Sequence, residues 1–527
     1  MTSNPTGKGK YLAAPYPCDI IMKGGITSGV VYPGAVCELA TKYCFRNIGG
    51  TSAGAIAAAI TAAAEFRRTN RKEEDGFQIL SELPELLGTS SKGTGRSLLF
   101  SLFQPQKRTA ALYRTVTAAL ESDWAKLKVP LACLWNFPLA TVLGLAPGLL
   151  LGYFAAWRPG LMGHLWAAAA CLLVTMIGGL VAAALAFLRS ALKEIPGNYF
   201  GLCTGNDIGT IGGTKPLTPW LADLIDTAAG LDPVAGKPLT FGDLWGDDPD
   251  DPKRINLQMM TTNLSFGRPY RLPFDNAKSD GEADDHCFYF NPEEFRMFFP
   301  ERIVQHLKAK SETVDKGARY LLLPPAKDMP VIVATRMSLS FPVLFSAVPL
   351  HAHHYGHKSR GDLQRCWFSD GGIGSNFPVQ LFDSPLPRWP TFDINLRDSS
   401  AKTLSDLERV YMVRGNADGM QESWVSIEEG PPGGSLVRFL WSMINVMHNC
   451  PLRVRQPIQE GVLGGVAVEC VHRRREAGER EGCLLPHAPP HRGLQDGRSG
   501  DPRPDHHEGR RSYDSGHGQP LRASGAG

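Results

Sequence analysis

The chain has 527 residues, of which 43% are hydrophobic and 20% are charged, and its formal net charge is +3. This length accommodates two or three average domains or one large elaborated domain, and the hydrophobic content supports a sizeable core. A charge so close to neutral gives no footprint of nucleic-acid binding, so we expect no nucleic-acid partner. The 11 cysteines are scattered without a zinc-type spacing, which is typical of reduced thiols in the cytosol.

Residues 18–88 contain two predicted strand–turn–helix units. In the first unit, a strand-like segment at residues 19–22 runs into a glycine-rich turn at Gly24 and Gly25, and a helix-like stretch follows. Backbone N–H groups in a turn of this kind can face an anion. Gly24 and Gly25 are therefore candidate oxyanion donors, and the alternative is a tight turn that binds no anion.

The second unit carries the sequence Gly50-Thr51-Ser52-Ala53-Gly54, a G-x-S-x-G pattern. A short strand-like segment at residues 45–48 precedes the pattern, and an alanine-rich helix former at residues 55–64 follows it. Strand, sharp turn and helix form the context of a nucleophile elbow, in which the serine hydroxyl is exposed at the turn. Ser52 is therefore the predicted nucleophile, and the alternative is a plain glycine-rich turn.

Residues 89–195 form a predicted insertion that contains the most apolar part of the chain. Two runs, at residues 129–157 and 161–188, are longer than the ~20 residues needed to cross a bilayer. We predict a transmembrane helical hairpin; the alternatives are two buried core helices or a hairpin that enters one leaflet. Lysine and arginine flank both outer ends, so the positive-inside rule predicts that these ends and the globular zones face the cytoplasm.

Residues 196–460 return to a mixed globular composition. Within them, the strand-like residues 367–369 end in Asp370-Gly371-Gly372. An Asp at a strand end can direct its carboxylate at a serine hydroxyl, although a D-G pair is also a common turn. A triad in the order Ser, Asp, His would require a histidine after Asp370, and before the tail only His448 qualifies. The sequence therefore favours a Ser52–Asp370 dyad.

The tail, residues 461–527, is rich in Arg, Gly, Pro and His and contains no Ile, Phe or Trp. A segment of this composition cannot bury enough apolar surface to fold. We predict a disordered basic tail, and the alternative is an error in the reading frame after about residue 449.

Four segments, in this order along the chain, resemble the patatin-like phospholipase family. The turn at Gly24 and Gly25, with Gly29 and Tyr32-Pro33-Gly34, is similar to the family's oxyanion motif, and residues 50–54 are similar to its elbow. Residues 336–345 are similar to the segment that precedes the acid, and Asp370-Gly371-Gly372 is similar to its D-G-[AG] motif. The resemblance covers parts of residues 18–90 and 255–395.

The resemblance implies a three-layer α/β fold with a central, mostly parallel sheet, and hydrolysis of acyl-lipid esters without a metal. In that mechanism Ser52 attacks the ester carbonyl, Asp370 accepts its proton, and the N–H groups of Gly24, Gly25 and Ala53 hold the oxyanion. We therefore expect a phospholipase A-like enzyme acting on phospholipid or another acyl lipid. The hairpin would make it a two-pass integral membrane protein with the bilayer as its partner. The rival interpretation is a membrane-associated lipid-binding or scaffold protein with a degenerate hydrolase site.

Two further clusters have simple structural interpretations. Adjacent histidines on a strand point to opposite faces, so we predict an exposed loop, and neither a metal site nor a cofactor, for His351, His353, His354 and His357. The aromatic stretch at residues 288–299 predicts core packing, with an acyl-chain pocket or a lid as the alternative.

Overall fold

A computed structural model gives the fold of the chain. It describes residues 9–25, 31–89, 97–120, 125–155, 161–210, 214–234, 236–274, 287–311, 319–353, 363–384 and 386–395. The predicted tail, together with Gly29, His354, His357 and His448, lies outside these ranges.

The described residues form a mixed α/β structure around a nine-stranded sheet. The strands are β1 (Tyr16–Met22), β2 (Tyr43–Gly50), β3 (Gly201–Cys203), β4 (Asn256–Asn263), β5 (Arg268–Leu272), β6 (Tyr289–Phe290), β7 (Leu321–Leu322), β8 (Val343–Phe345), β9 (Val348–His353), β10 (Leu363–Asp370) and β11 (Thr391–Ile394). The order across the sheet is β11-β1-β2-β4-β10-β9-β6-β7, with β5 also paired to β4, and β3 pairs with β8 in a separate sheet. Parallel pairing joins β11, β1, β2 and β4, and the sheet continues beyond β4 with antiparallel strands. The predicted α/β class with a central sheet is confirmed.

The helices flank the sheet and form the insertion. They are α1 (Tyr32–Ala40), α2 (Ala53–Arg71), α3 (Asp75–Gly88), α4 (Leu98–Ser101), α5 (Ala110–Leu120), α6 (Ala125–Asn136), α7 (Pro138–Ala155), α8 (Leu161–Gly197), α9 (Leu217–Ala228), α10 (Phe241–Trp245), α11 (Pro292–Phe295), α12 (Glu301–Lys310), α13 (Val331–Ser338) and α14 (Gly372–Ser375).

Helix α2 packs at the centre of the α/β part of the chain. Its alanines are small enough for β2, α3 and α9 to pack closely around it, and of its first thirteen positions all but Ile56 are buried. Because α2 begins directly after Ser52, this packing holds the start of the helix, and with it the elbow, in one place. The phenylalanines at positions 288, 290, 295, 298 and 299 are also buried in the main core, which confirms core packing for that aromatic stretch.

Three described helices, α6, α7 and α8, cover the two apolar runs of the insertion. The first predicted run is not one helix, because its parts at Val129–Asn136 and Pro138–Phe154 are bent by 100° at Phe137. In the described residues, α8 between His164 and Gly197 is long and apolar enough to cross a bilayer. The two helices of the bent pair make a second candidate span only if they are counted together as a single span. Spanning by length and composition alone is weak support, so the transmembrane hairpin stays a prediction.

Helices α7 and α8 pack against each other through small residues. A Cβ atom on Gly144 would clash with the carbonyl oxygen of Gly178, and a Cβ atom on Gly148 would clash with Thr175. The large apolar side chains instead point outward, and Leu139 on α7 and Trp166 on α8 are 82% and 78% exposed. Small residues inside and large apolar residues outside are typical of helices that pack in lipid.

Candidate active site

Ser52 occupies the sharp turn between β2 and α2. Its backbone has φ 56° and ψ −125°, a positive φ that costs energy for a residue with a side chain. The flanking glycines are needed because the chain segments come too close for a Cβ atom. A Cβ on Gly50 would meet the carbonyl of Gly54, and a Cβ on Gly54 would meet the carbonyls of Met22 and Lys23. The predicted elbow geometry is therefore present.

Asp370 lies at the end of β10, within hydrogen-bond distance of Ser52. The strand register explains this placement: β4 lies between β2 and β10, with Gly50 opposite Met259 and Asp370 opposite Thr261. The ends of β2 and β10 therefore lie close together, on either side of β4. Ser52 Oγ donates a hydrogen bond to Asp370 Oδ2 at 2.8 Å, and both side chains are buried.

The carboxylate of Asp370 is held on its other side by its own turn. Its Oδ1 accepts a hydrogen bond of 2.6 Å from the backbone N–H of Gly372. The neighbouring Gly371 has no room for a side chain, because a Cβ would meet the carbonyl of Met260 and the methyl group of Thr51. The D-G-G sequence therefore orients the carboxylate of Asp370, and Thr51 of the elbow lies against Gly371.

The three predicted oxyanion donors, Gly24, Gly25 and Ala53, differ in the surroundings of their backbone. The N–H of Gly24 donates a 2.8 Å hydrogen bond to the carbonyl of Asn376, so this N–H already has an acceptor within the protein. Ala53 is the first residue of α2, where a backbone N–H has no acceptor inside the helix. Gly25 and Ala53 both line the cavity at Ser52. Gly24 lies against the elbow, where a Cβ atom on it would meet Thr51 and Ser52. This close approach accounts for a glycine at the position.

An apolar cavity of about 100 Å³ opens at Ser52. Its walls come from α3, α4, α9 and the segment around β8, and almost all its lining atoms are carbon. The lining residues are Gly25, Ser52, Ala53, Ile56, Leu83, Leu87, Leu99, Leu102, Phe103, Leu217, Trp220, Leu221, Leu339, Phe341, Leu344 and Phe345. Such a surface is suited to a hydrocarbon chain.

Two comparisons relate the chain to known proteins. A family profile described as "Patatin-like phospholipase" matches residues 20–383. The chain belongs to the patatin-like phospholipase family. It is also 35% identical, over 493 residues, to a protein named "RpoH suppressor" from Rhizobium meliloti (strain 1021), an alignment that covers 82% of this chain and 74% of that protein. Patatin-like phospholipases act on lipids, and membership indicates a lipid acyl hydrolase of the serine esterase type.

Sequence reasoning missed two residues of this patatin-like site. Ser338, at the end of α13, accepts a hydrogen bond of 3.1 Å from the backbone N–H of Ser52 through its hydroxyl oxygen. Asn376 accepts the hydrogen bond from Gly24. Ser338 lies in a segment that resembles a family motif, which was the available signal; Asn376 lies just after the acid and carried none.

The histidine cluster differs from its predicted arrangement. His351 and His353 lie on β9, and His351 is buried against Glu294. Burial, with Arg365 and Arg319 nearby, lowers the pKa of His351 to about 4, so the ring is neutral at neutral pH. The exposed-loop prediction is therefore wrong for His351, because its strand continues the sheet into the core.

Proposed function

We propose that this protein is a membrane-anchored lipid acyl hydrolase that works through a Ser52–Asp370 dyad. The observation that carries the proposal is the 2.8 Å hydrogen bond from Ser52 Oγ to Asp370 Oδ2 at the floor of an apolar cavity. A serine needs a base to become a nucleophile, and Asp370 is the base in contact with it. The cavity supplies the place for the acyl chain.

In the acylation step, Ser52 Oγ attacks the ester carbonyl carbon while Asp370 accepts the hydroxyl proton. The negative charge that develops on the carbonyl oxygen is held by the N–H groups of Ala53 and Gly25, at the positive end of α2. The tetrahedral intermediate then collapses, the C–O bond to the alcohol breaks, and Asp370 returns the proton to the leaving oxygen. The product is an acyl-Ser52 ester.

In the second step, water replaces the alcohol. Asp370 takes a proton from the water, whose oxygen attacks the acyl carbonyl carbon, and the same N–H groups hold the second oxyanion. Breaking the Ser52 Oγ–acyl bond returns the proton to Ser52 and releases the fatty acid. The cycle consumes one water and leaves the enzyme unchanged.

The membrane part of the proposal is supported by the surface of α6, α7 and α8. Large exposed apolar side chains such as Leu139, Leu143 and Trp166 cover the outer faces of these helices. A continuous apolar patch on a protein surface marks an interaction site. A bilayer is the partner that matches helices of this length and composition. The cytoplasmic side is proposed for the catalytic part, from the basic residues at the outer ends of the hairpin.

The test is fatty-acid release from phospholipid vesicles by the full-length protein purified in detergent. Ser52→Ala should lower kcat by at least about 10³-fold because the nucleophile is lost. Asp370→Asn should lower kcat by about 10²–10⁴-fold, since an amide cannot accept the proton. Ser81→Ala, at an exposed serine of α3, is the matched control and should keep full activity.

A fluorophosphonate probe separates the hydrolase from the rival lipid-binding protein. The hydrolase should be labelled at Ser52 and should lose labelling in the Ser52→Ala variant. Undiminished turnover in Ser52→Ala would exclude the dyad mechanism. An unlabelled wild-type protein that binds vesicles without releasing fatty acid would favour the lipid-binding interpretation.

A further inference from the structure

Arg336, on α13, is a buried charge without an ion pair in the described part of the chain. Its side chain has no solvent exposure, and it lies against the rings of Phe298 and Phe345. Burial lowers the pKa of its guanidinium to about 9, so it still carries its charge at neutral pH. Its Nε has no hydrogen-bond partner in the described structure, so the two Nη atoms make the hydrogen bonds that a desolvated charge needs.

The donors of Arg336 hold both ends of one short segment, residues 338–346. Nη1 donates to the hydroxyl of Ser340 at 2.7 Å. Nη2 donates to the carbonyl of Ser346 at 3.0 Å and to the carbonyl of Thr204, just after β3, at 2.9 Å. A planar fork can satisfy this set of acceptors in one fixed geometry.

The same segment touches both members of the dyad. The carbonyl of Ser340 accepts hydrogen bonds from the backbone N–H of Asp370 and from the hydroxyl of Ser369, both at 2.9 Å. The hydroxyl of Ser338 accepts from the N–H of Ser52, and its carbonyl accepts from the N–H of Gly371. The position of the segment therefore determines how the acid meets the nucleophile.

The other end of the segment is bound to the end of the apolar helix α8. The hydroxyl of Ser346 donates to the carbonyl of Asn198, the residue after α8, at 2.7 Å, and the N–H of Ala347 donates to the carbonyl of Tyr199. Three residues with side chains, Tyr199, Phe200 and Val343, have positive φ values of 55°, 64° and 67° at this junction. Strained backbone of this kind persists where the surroundings hold it.

We propose that Arg336 is a positioning residue for the Ser52–Asp370 pair, acting through Ser340 and Ser346. The inference rests on the proposed hydrolase function. Arg336 does not line the cavity and takes no part in the chemistry. Its fork keeps the segment 338–346 tight between the end of α8 and the dyad, so that Asp370 stays at hydrogen-bond distance from Ser52. Without the fork, Ser340 and the attached Asp370 are free to shift.

The test measures kcat and KM of the full-length protein in detergent with a short, soluble p-nitrophenyl ester. The concentration of active sites is set by labelling Ser52 to completion with a fluorophosphonate, so that loss of folded protein is removed from kcat. Arg336→Met and Arg336→Lys should each lower kcat per labelled site by about 10–100-fold, the effect of a misplaced catalytic group. KM should change less than about threefold, because Arg336 does not touch the substrate.

A milder variant and a matched control keep the test decisive if Arg336 variants fold poorly. Ser340→Ala removes the hydroxyl that Arg336 binds and keeps the carbonyl that holds Asp370, and should lower kcat by about tenfold. Arg68 is a second buried arginine that donates to three backbone carbonyls, those of Tyr11, Ala40 and Tyr43. It lies about 24 Å along α2 from Ser52 at 1.5 Å per residue, so Arg68→Met should leave kcat per labelled site unchanged.

The outcomes separate this inference from the proposed function. An unchanged kcat per labelled site in Arg336→Met and Ser340→Ala overturns the inference while leaving the hydrolase intact. Full kcat in Arg336→Lys also overturns it, because a single charge would then replace the fork. A wild-type protein that neither turns over the ester nor labels at Ser52 overturns the proposed function itself.

Discussion

At the scale of single residues, two buried carboxylates lie on neighbouring strands. Asp19 on β1 accepts hydrogen bonds from the backbone and side chain of Asn47 and from the indole of Trp389. Asp393 on β11 is buried, and its Oδ1 has no hydrogen-bond partner in the described structure. Burial raises the pKa of Asp393 to about 8, with a contribution from Asp19, and burial raises the pKa of Asp19 to about 6.

These shifts predict that the contribution of Asp19 and Asp393 to stability falls as the pH rises. Both folded pKa values lie above the ordinary Asp value of about 3.9, so the folded state favours the protonated form. The resulting stability is complete below about pH 4 and is lost as the pH rises to about 8. Asp393→Asn, which keeps the shape and removes the titration, should be more stable than wild type at pH 9 by on the order of 5 kcal/mol, because a pKa raised from about 3.9 to about 8 is worth about 1.4 kcal/mol per pKa unit.

Urea denaturation in detergent at several pH values checks this prediction. The free energies of unfolding of wild type and Asp393→Asn should converge towards pH 4 and separate above pH 7. Asp247→Asn, at an exposed aspartate, should run parallel to wild type. Parallel curves for Asp393→Asn would show that the pKa of Asp393 is the same in the folded and unfolded states, which contradicts the prediction.

The residues of the site differ in how far the sequence predicts them. Ser52 and Asp370 stand in short local patterns, since the strand–turn–helix around Ser52 and the D-G-G turn each have their own requirement for small residues. The oxyanion donors are harder to predict because an N–H is available only if no distant carbonyl takes it, and Asn376 takes that of Gly24. Ser338 is 286 positions from the backbone N–H that it binds, so no local pattern identifies that contact.

At the scale of elements, the composition of α6, α7 and α8 predicts that they are apolar but does not predict where the chain bends. The apolar runs were visible in the sequence, but the bend at Phe137 was not. Pro130 and Pro147 lie inside α6 and α7, whereas Pro138 begins α7. Proline is favoured at the first position of a helix and only tolerated inside one, and only packing decides which proline takes which place.

The close contact of α7 and α8 predicts that a large residue at Gly144 separates the two helices. Gly144→Leu should lower the stability of the protein in detergent by about 1–3 kcal/mol, the usual cost of overpacking, because its Cβ would overlap the backbone of Gly178. Thermal denaturation followed by tryptophan fluorescence measures the loss. Gly152→Leu is the matched control on the same helix, since nothing lies within 4 Å of a Cβ at that position. Equal melting temperatures for the two variants would contradict the helix pairing.

At the scale of the whole molecule, the end of α8 links the apolar insertion to the α/β part that contains Ser52 and Asp370. Helix α8 leads through Asn198 into β3, and β3 pairs with β8, which carries Leu344 and Phe345 of the cavity wall. The insertion also contributes Leu99, Leu102 and Phe103 to that wall. The cavity is therefore lined by residues that come before and after α6–α8 in the chain. The sequence predicts the insertion as a separate zone. It does not predict that residues of the insertion line the cavity, because that depends on long-range contacts such as the pairing of β3 with β8.

Replacing residues 129–188 with a short Gly/Ser linker tests the role of the hairpin in the whole protein. The proposed anchor predicts that this variant appears in the soluble fraction, whereas the full-length protein stays in the membrane pellet after alkaline carbonate extraction. The last turns of α8 and Asn198 remain, so hydrolysis of a soluble ester should be retained within about tenfold. Hydrolysis of vesicle phospholipid should fall much further, because the bilayer no longer concentrates the enzyme at its substrate. Full-length Ser52→Ala is the control, since it should stay in the pellet without activity. A deletion variant that still pellets would place the membrane attachment outside the hairpin.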